Sequence, residues 1–182
     1  MNDSREFRVH PDMVGRLKLR DRALVADNAV VVGDVHLAPG ANIWFGVTIR
    51  GDDATIEIGP DANIQDNTVV HVDTDAPQRI GRGVSVGHGA ILHGIEIGEF
   101  ALIGMGAVLL GGCRIGAFSI VGAGAVVPEN AVIPPRSVVL GVPGKIRRTV
   151  TDDEVEQMKW RARHYVERAR SYLSPAERDA MA

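Results

Sequence analysis

Three histidines in one stretch, His71, His88 and His93, are the side chains best suited to chemistry in this 182-residue chain. They fall in the segments VVHVDT and VGHGAILHG. Neutral imidazole is a ligand for zinc and other divalent transition metals, and three imidazoles leave coordination positions open for water. A metal held in that way makes its water acidic enough to serve as a nucleophile near neutral pH. Arg50, Asp52, Gln65 and Asp66 precede the histidines as polar groups that could orient or neutralise such a site.

The elements that must position these groups are legible as a repeat. An aliphatic register recurs every six residues through Val25, Val31, Leu37, Ile43 and Ile49. It resumes at Ile58 after three extra residues and runs through Ile64 and Val70. After four more it resumes at Ile80, continues through Val86 and Leu92, loses one residue, and runs from Ile97 to Val139. All these positions are Ile, Val or Leu, and Gly often follows, as at Gly59, Gly81, Gly98 and Gly104. A six-residue period fits neither a helix nor an alternating strand. It is the mark of a hexapeptide β-helix, a solenoid in which three hexads close one triangular coil. About six coils are expected, stacked ~4.8 Å apart, with the glycines at the corners.

In such a solenoid His71 and His93 both hold the second place of hexads on one wall, wall A, in adjacent coils. Their backbones then lie ~4.8 Å apart, and both imidazoles can reach one ion at ~2.1 Å. His88 holds the third place on a different wall, wall C, and does not join them within one chain. It joins them if a second copy packs its wall C against wall A, and a three-fold ring makes three identical closed sites. A homotrimer with shared metal is therefore expected. The second place on wall A reads Arg50, His71, His93, Leu110, and the third place on wall C reads Phe45, Asp66, His88, Met105. Each polar stretch is bounded by apolar residues. Arg50 and Asp52 equally fit an intersubunit ion pair with Asp66. His10, His36 and His164 lie outside this geometry and read as surface or structural residues.

Composition narrows the field. A formal net charge of −3 gives no nucleic-acid footprint. Aromatic residues are only 4%, as a thin repetitive core requires. The single cysteine, Cys113, excludes a disulfide within the chain and reads as a packed structural thiol. No signal peptide or membrane span is visible, so a cytoplasmic protein is expected. Residues 1–24 read as a leader or edge segment, 25–150 as the β-helix and 151–182 as a C-terminal helix and tail. Thr151-Asp152-Asp153-Glu154 is a capping box. After it, Val155, Met158, Ala162, Val166, Ala169 and Leu173 recur at helical spacing, which predicts a helix packed along the outside of the solenoid.

The segments IWFGVTIRGD, IGPDANIQDNTVVHVDT and VGHGAILHG closely resemble the gamma-class carbonic anhydrase family, members of the left-handed parallel β-helix superfamily. The resemblance covers nearly the whole solenoid, the VPGK exit and the C-terminal helix. It implies a left-handed coil and a homotrimer with zinc, or ferrous iron, at each interface. His71 and His93 would come from one subunit and His88 from its neighbour. Gln65 would position the hydroxide or bicarbonate, while Arg50, Asp52 and Asp66 hold the interface. The implied activity is reversible hydration of CO2 to bicarbonate by a metal-bound hydroxide. The loop Asp75-Ala76-Pro77-Gln78-Arg79 is short and lacks the glutamate that shuttles protons in the most active members. Asp73 and Asp75 stand nearby without an assigned role. A family tyrosine on the C-terminal helix has no clear counterpart, with Trp160 the nearest candidate and Tyr165 and Tyr172 further along. The same scaffold also serves hexapeptide acyltransferases and CoA-thioester hydrolases, which use one histidine as a base, and metal-binding assembly proteins with little turnover.

Overall fold

A computed structural model describes residues 9–180. Of the expected leader, residues 1–8 lie outside the described residues, as do 181–182 of the expected tail. The chain is a mainly-β parallel solenoid of about six turns followed by a helix, α1, Asp152–Ser171. Three walls form its sides. Wall C stacks Ala23–Ala26, Asn42–Ile43, Asn63–Ile64, Ser85–Val86, Leu102–Ile103, Ile120–Val121 and Ser137–Leu140 in parallel. Walls A and B share two long strands, Val30–Leu37 and Thr48–Ile58, which bend through the corner between them. Wall A continues through Val69–His71, Ile91–Leu92, Val108–Leu109 and Val126–Val127. Wall B continues through Gln78–Ile80, Glu96–Ile97, Arg114–Ile115 and Val132–Ile133.

The six-residue register is the core. All its aliphatic positions are buried except Val31 and Leu37. Those two lie on the strand Val30–Leu37, which pairs only with Thr48–Ile58 and has no coil beneath it. At the ends of wall C antiparallel strands close the ladder: Leu17–Arg20 on Ala23–Ala26, and Lys145–Thr149 folded back on Ser137–Leu140. The last of these was not foreseen, since the Gly141–Lys145 turn leads to a return strand before the helix. Cys113 is fully buried, and burial pushes its thiol up to about 11, which keeps it protonated and inert.

One expectation about the glycines needs correction. The chain turns not at the residue after each aliphatic position but two residues later. There φ is positive at Asp61, Asn67, Gly83, Gly89, Gly106 and Gly124, and also at Phe100 and Phe118. The two phenylalanines bear this backbone while stacked on each other, with ring centroids 5.4 Å apart, beside the start of α1. The glycines directly after the aliphatic residues serve closeness instead. A Cβ at Gly98 would stand 2.4 Å from the backbone nitrogen of Ala117 in the next coil.

Helix α1 begins with the expected capping box, Thr151 and Glu154 each bonding the other's backbone amide. Its apolar stripe, Val155 to Ala169, is buried, as is Leu173 just past its end. Val155 and Met158 pack with Val138 and Val150 of the last coil, and Ala169 and Leu173 pack with Leu17, Leu24 and Trp44 of the first. The helix therefore lies along the outside of wall C for its whole length, about 30 Å at 1.5 Å per residue. Arg148 grips Glu154 through two contacts of 2.8 and 2.7 Å. That guanidinium, with the Thr151 amide, lowers the Glu154 carboxyl from its ordinary 4.5 to about 2. A carboxyl depressed on folding stabilises above its unfolded pKa and loses that contribution as pH falls through the folded value. Thermal unfolding should therefore show a modest acid-side loss between pH 4.5 and about 2 that Glu154→Gln removes. The effect is small because the pair is open to solvent.

Candidate metal centre

The parallel register of wall A brings two of the three histidines together. Arg50 pairs with His71, and Leu92 pairs with Val70, so His93 lies one coil beyond His71. Nδ1 of His71 and Nε2 of His93 are 3.0 Å apart, and the ring centroids are 5.1 Å apart. Two nitrogens at that separation can both bond a transition metal at ~2.0–2.1 Å. The pair is partly shielded, with side-chain exposures of 17% for His71 and 30% for His93.

Carboxylates surround the pair. Nε2 of His71 lies 3.2 Å from Oδ1 of Asp52 and 3.4 Å from Oδ2 of Asp53. Asp52 is held in turn by Arg50, Nη1 to Oδ2 2.5 Å, and this guanidinium keeps its carboxyl below the usual carboxylate range. Nδ1 of His93 lies 3.3 Å from Oδ2 of Asp73. These acids enter where the six-residue register breaks. The three extra residues before Ile58 carry Asp52 and Asp53 around the A–B corner, and the longer insertion before Ile80 carries Asp73. Asp53 was missed in the sequence, and its only signal there was adjacency to Asp52. Asp52, Asp53 and His71 together form a cluster that could hold a metal ion, with ligand atoms within 4.8 Å of one another. The donor sets of the two groupings differ in chemistry. Two exposed carboxylates suit a hard cation, whereas paired imidazoles suit zinc or iron.

His88 stands apart from the pair. It follows the wall C strand Ser85–Val86, and its Nδ1 lies 2.9 Å from Oδ2 of Asp66 in the preceding coil. Asp66 is thus the partner of His88 within the chain, and Arg50 pairs with Asp52. One chain therefore supplies two imidazoles at one point and a third, half-exposed, at another.

Wall C, which the sequence reading sets against a partner's wall A, is occupied within the chain. Helix α1 covers it, touching the strands Asn42–Ile43, Asn63–Ile64 and Ser85–Val86. Gln65 is buried there, 4% exposed, and its Nε2 donates to Oδ1 of Asn63 at 3.0 Å. Asn63 in turn donates to Oγ of Ser85 at 2.7 Å. What His88 and Asp66 offer a partner is the corner beside the helix rather than the flat of the wall. Tyr165, not Trp160, is the helix aromatic that senses this corner. Burial pushes its hydroxyl up, with the Asp66 charge adding to the shift, and its ring packs 5.9 Å from that of Trp44. Trp160 instead stacks on His164 at 4.4 Å and is nearly half-exposed.

Comparison with known proteins agrees with this architecture. Residues 94–129 match the bacterial transferase hexapeptide (six repeats) family. The chain is 49% identical over 142 residues to a probable carbonic anhydrase of Methanocaldococcus jannaschii, covering 78% of this chain and 89% of that one. It belongs to the gamma-class carbonic anhydrase family. It is also 40% identical over 156 residues to the mitochondrial gamma carbonic anhydrase 2 of Arabidopsis thaliana, covering 82% of this chain. The chain spans just over half, 56%, of that plant relative. Among solved structures, a hexapeptide transferase family protein from Anaplasma phagocytophilum superposes with a TM-score of 0.80 at 34% identity, covering 85% of this chain and 91% of that one. The proteins that this chain resembles thus carry both anhydrase and transferase names. No helix among the described residues is long and apolar enough to cross a membrane.

Proposed function

We propose that this gamma-class protein is a trimeric, metal-dependent carbonic anhydrase. His71 and His93 of one subunit and His88 of the partner subunit would hold each zinc or ferrous ion. The observation that carries this reading is the division of the histidines: two 3.0 Å apart across adjacent coils, the third on another corner of the prism, fixed by Asp66. An outward apolar row beside the histidines, Val30, Val69 and Ile91, is 40–49% exposed in one chain and supports a partner on wall A. A bound ion would supply a water acidified to near-neutral pH for attack on CO2.

The residues then take these roles. Asp66, its Oδ2 2.9 Å from Nδ1 of His88, would accept that N–H and leave Nε2 as the ring's outward ligand atom. Asp52, neutralised by Arg50, sits against His71 and fixes its ring. Gln65 donates one amide N–H to Asn63, which orients the side chain whose carbonyl oxygen would accept a hydrogen bond at the site. The acyl-transfer alternative needs one histidine free as a base, and the close imidazole pair argues for the metal reading.

The test is stopped-flow CO2 hydration on protein of known zinc and iron content, wild type against His93→Ala, with the solution mass measured alongside. A mass three times the 19.5 kDa of one chain is expected. Metal and hydration should be lost together in the variant. Hydration that survives His93→Ala, or metal-replete protein without turnover, would reject the anhydrase reading. In the second case an acyl-ester or assembly role takes its place.

A further inference from the structure

We propose that Asp73 is a positioning residue for this site, which rests on the metal reading above: its carboxylate holds His93 as the Nδ1–H tautomer and so turns the Nε2 lone pair towards the ion. The short loop after His71 is built to deliver that carboxylate. Ala76 N–H donates to the Asp73 carbonyl at 3.1 Å, and Asp75 takes the left-handed backbone, φ 58°, that the tight turn requires. At the loop exit Gln78 is buried, and its amide donates to the carbonyl of Gly94, the residue directly after His93. The first bond closes the turn on itself, and the second ties the loop exit to the coil that bears His93.

The neighbouring coil leaves room for this arrangement. A Cβ at Gly111 would stand 2.8 Å from Oδ2 of Asp73 and 3.9 Å from Nδ1 of His93. The backbone of Gly111 lies outside the left-handed region, so what the position uses is the absence of a side chain. Gly111 thus forms one side of a cradle, with Asp73 inside it and Nδ1 of His93 beyond, 3.3 Å from the carboxylate. A carboxylate behind a ligating imidazole fixes the ring's tautomer and orientation, and losing such a partner costs 10–100-fold in metal affinity, roughly.

The first readout needs no metal. Long-range 15N–1H spectra of histidine-labelled apoprotein, taken well above the imidazole titration range, report the tautomer of His93. The spectra are taken in a His71→Ala background, which removes the competing contact at Nε2 of His93; there the chain with Asp73 should show Nδ1–H, and Asp73→Ala should lose that preference. Asp73→Asn keeps an acceptor oxygen and should retain it. Gly111→Ala, which leaves Asp73 in place but crowds its carboxylate, should behave like Asp73→Ala. Competition for zinc with a chelator should show about 10–100-fold weaker binding in Asp73→Ala and Gly111→Ala, and near-wild-type binding in Asp73→Asn. A His93 tautomer unchanged in Asp73→Ala would overturn the proposal. Wild-type protein that takes up no zinc would instead overturn the anhydrase reading, and the apoprotein spectra would still decide the role of Asp73.

Discussion

Co-expressed chains carrying His88→Ala and His93→Ala should recover about a quarter of the wild-type metal sites and hydration, although neither variant is active alone. The value follows from ring geometry. Random assembly makes three-quarters of the trimers mixed, and every mixed ring contains one interface of three at which both halves are intact. Each single variant should bind zinc more weakly by well over the roughly 100-fold that outer-shell changes cost, because a direct ligand is gone. Recovery requires that His71 and His93 act from one chain and His88 from another, the division implied by the 3.0 Å pair on wall A and the separate Asp66-bound ring. Metal analysis and stopped-flow rates on the co-purified mixture read the outcome. Mixed trimers seen by native mass spectrometry with no regained metal would place all the ligands in one subunit and sink the divided site.

The second large effect concerns the fold. Gly98→Ala should destabilise the protein by roughly 3–5 kcal/mol, against about 1–2 kcal/mol for Gly106→Ala. The new Cβ at position 98 meets only backbone, 2.4 Å from N and 2.8 Å from Cα of Ala117 and 2.9 Å from C of Gly116. No side chain can rotate away. Relief means prising apart two coils joined by the 2.7 Å bond from Gly98 N–H to the Ile115 carbonyl. At Gly106 the space is open, and the alanine pays only for a positive φ of 65°. Urea unfolding of the two variants measures the difference. Equal losses would mean that the glycines after the aliphatic positions serve conformation after all.

These glycines also mark what a sequence conceals. A repeat announces its inward column because one chemical class recurs at one spacing, and the buried positions from Ile43 to Val139 follow it. It also announces that His71 and His93 share a column, since equal places in a hexad stack. It does not say whether a glycine is present for its φ or for its missing Cβ, because both demands select the same residue. The stripe of α1 was legible for the same reason as the core, as a period matched to a single buried face. The wall that the helix covers was not, because no hexad position encodes a lateral neighbour. For that reason the sequence sets wall C against a partner's wall A, where the structure lays α1 along it and buries Gln65. Asp53 and Asp73 escaped assignment because they sit in the insertions, where the six-residue rule no longer dictates the path of the chain.

The course of α1 changes how a stack of coils comes apart. A linear array of repeats frays from its ends, since each unit is held only by its neighbours. Here the last coil is bound to the root of α1 through Val138 and Val150, and the first is bound to its tip through Leu17, Leu24 and Trp44. Opening either end strips apolar surface from the same helix and so loosens the other. The two ends are joined into one cooperative unit, and the middle coils that carry His71 and His93 are kept from sliding by a strut running past all of them.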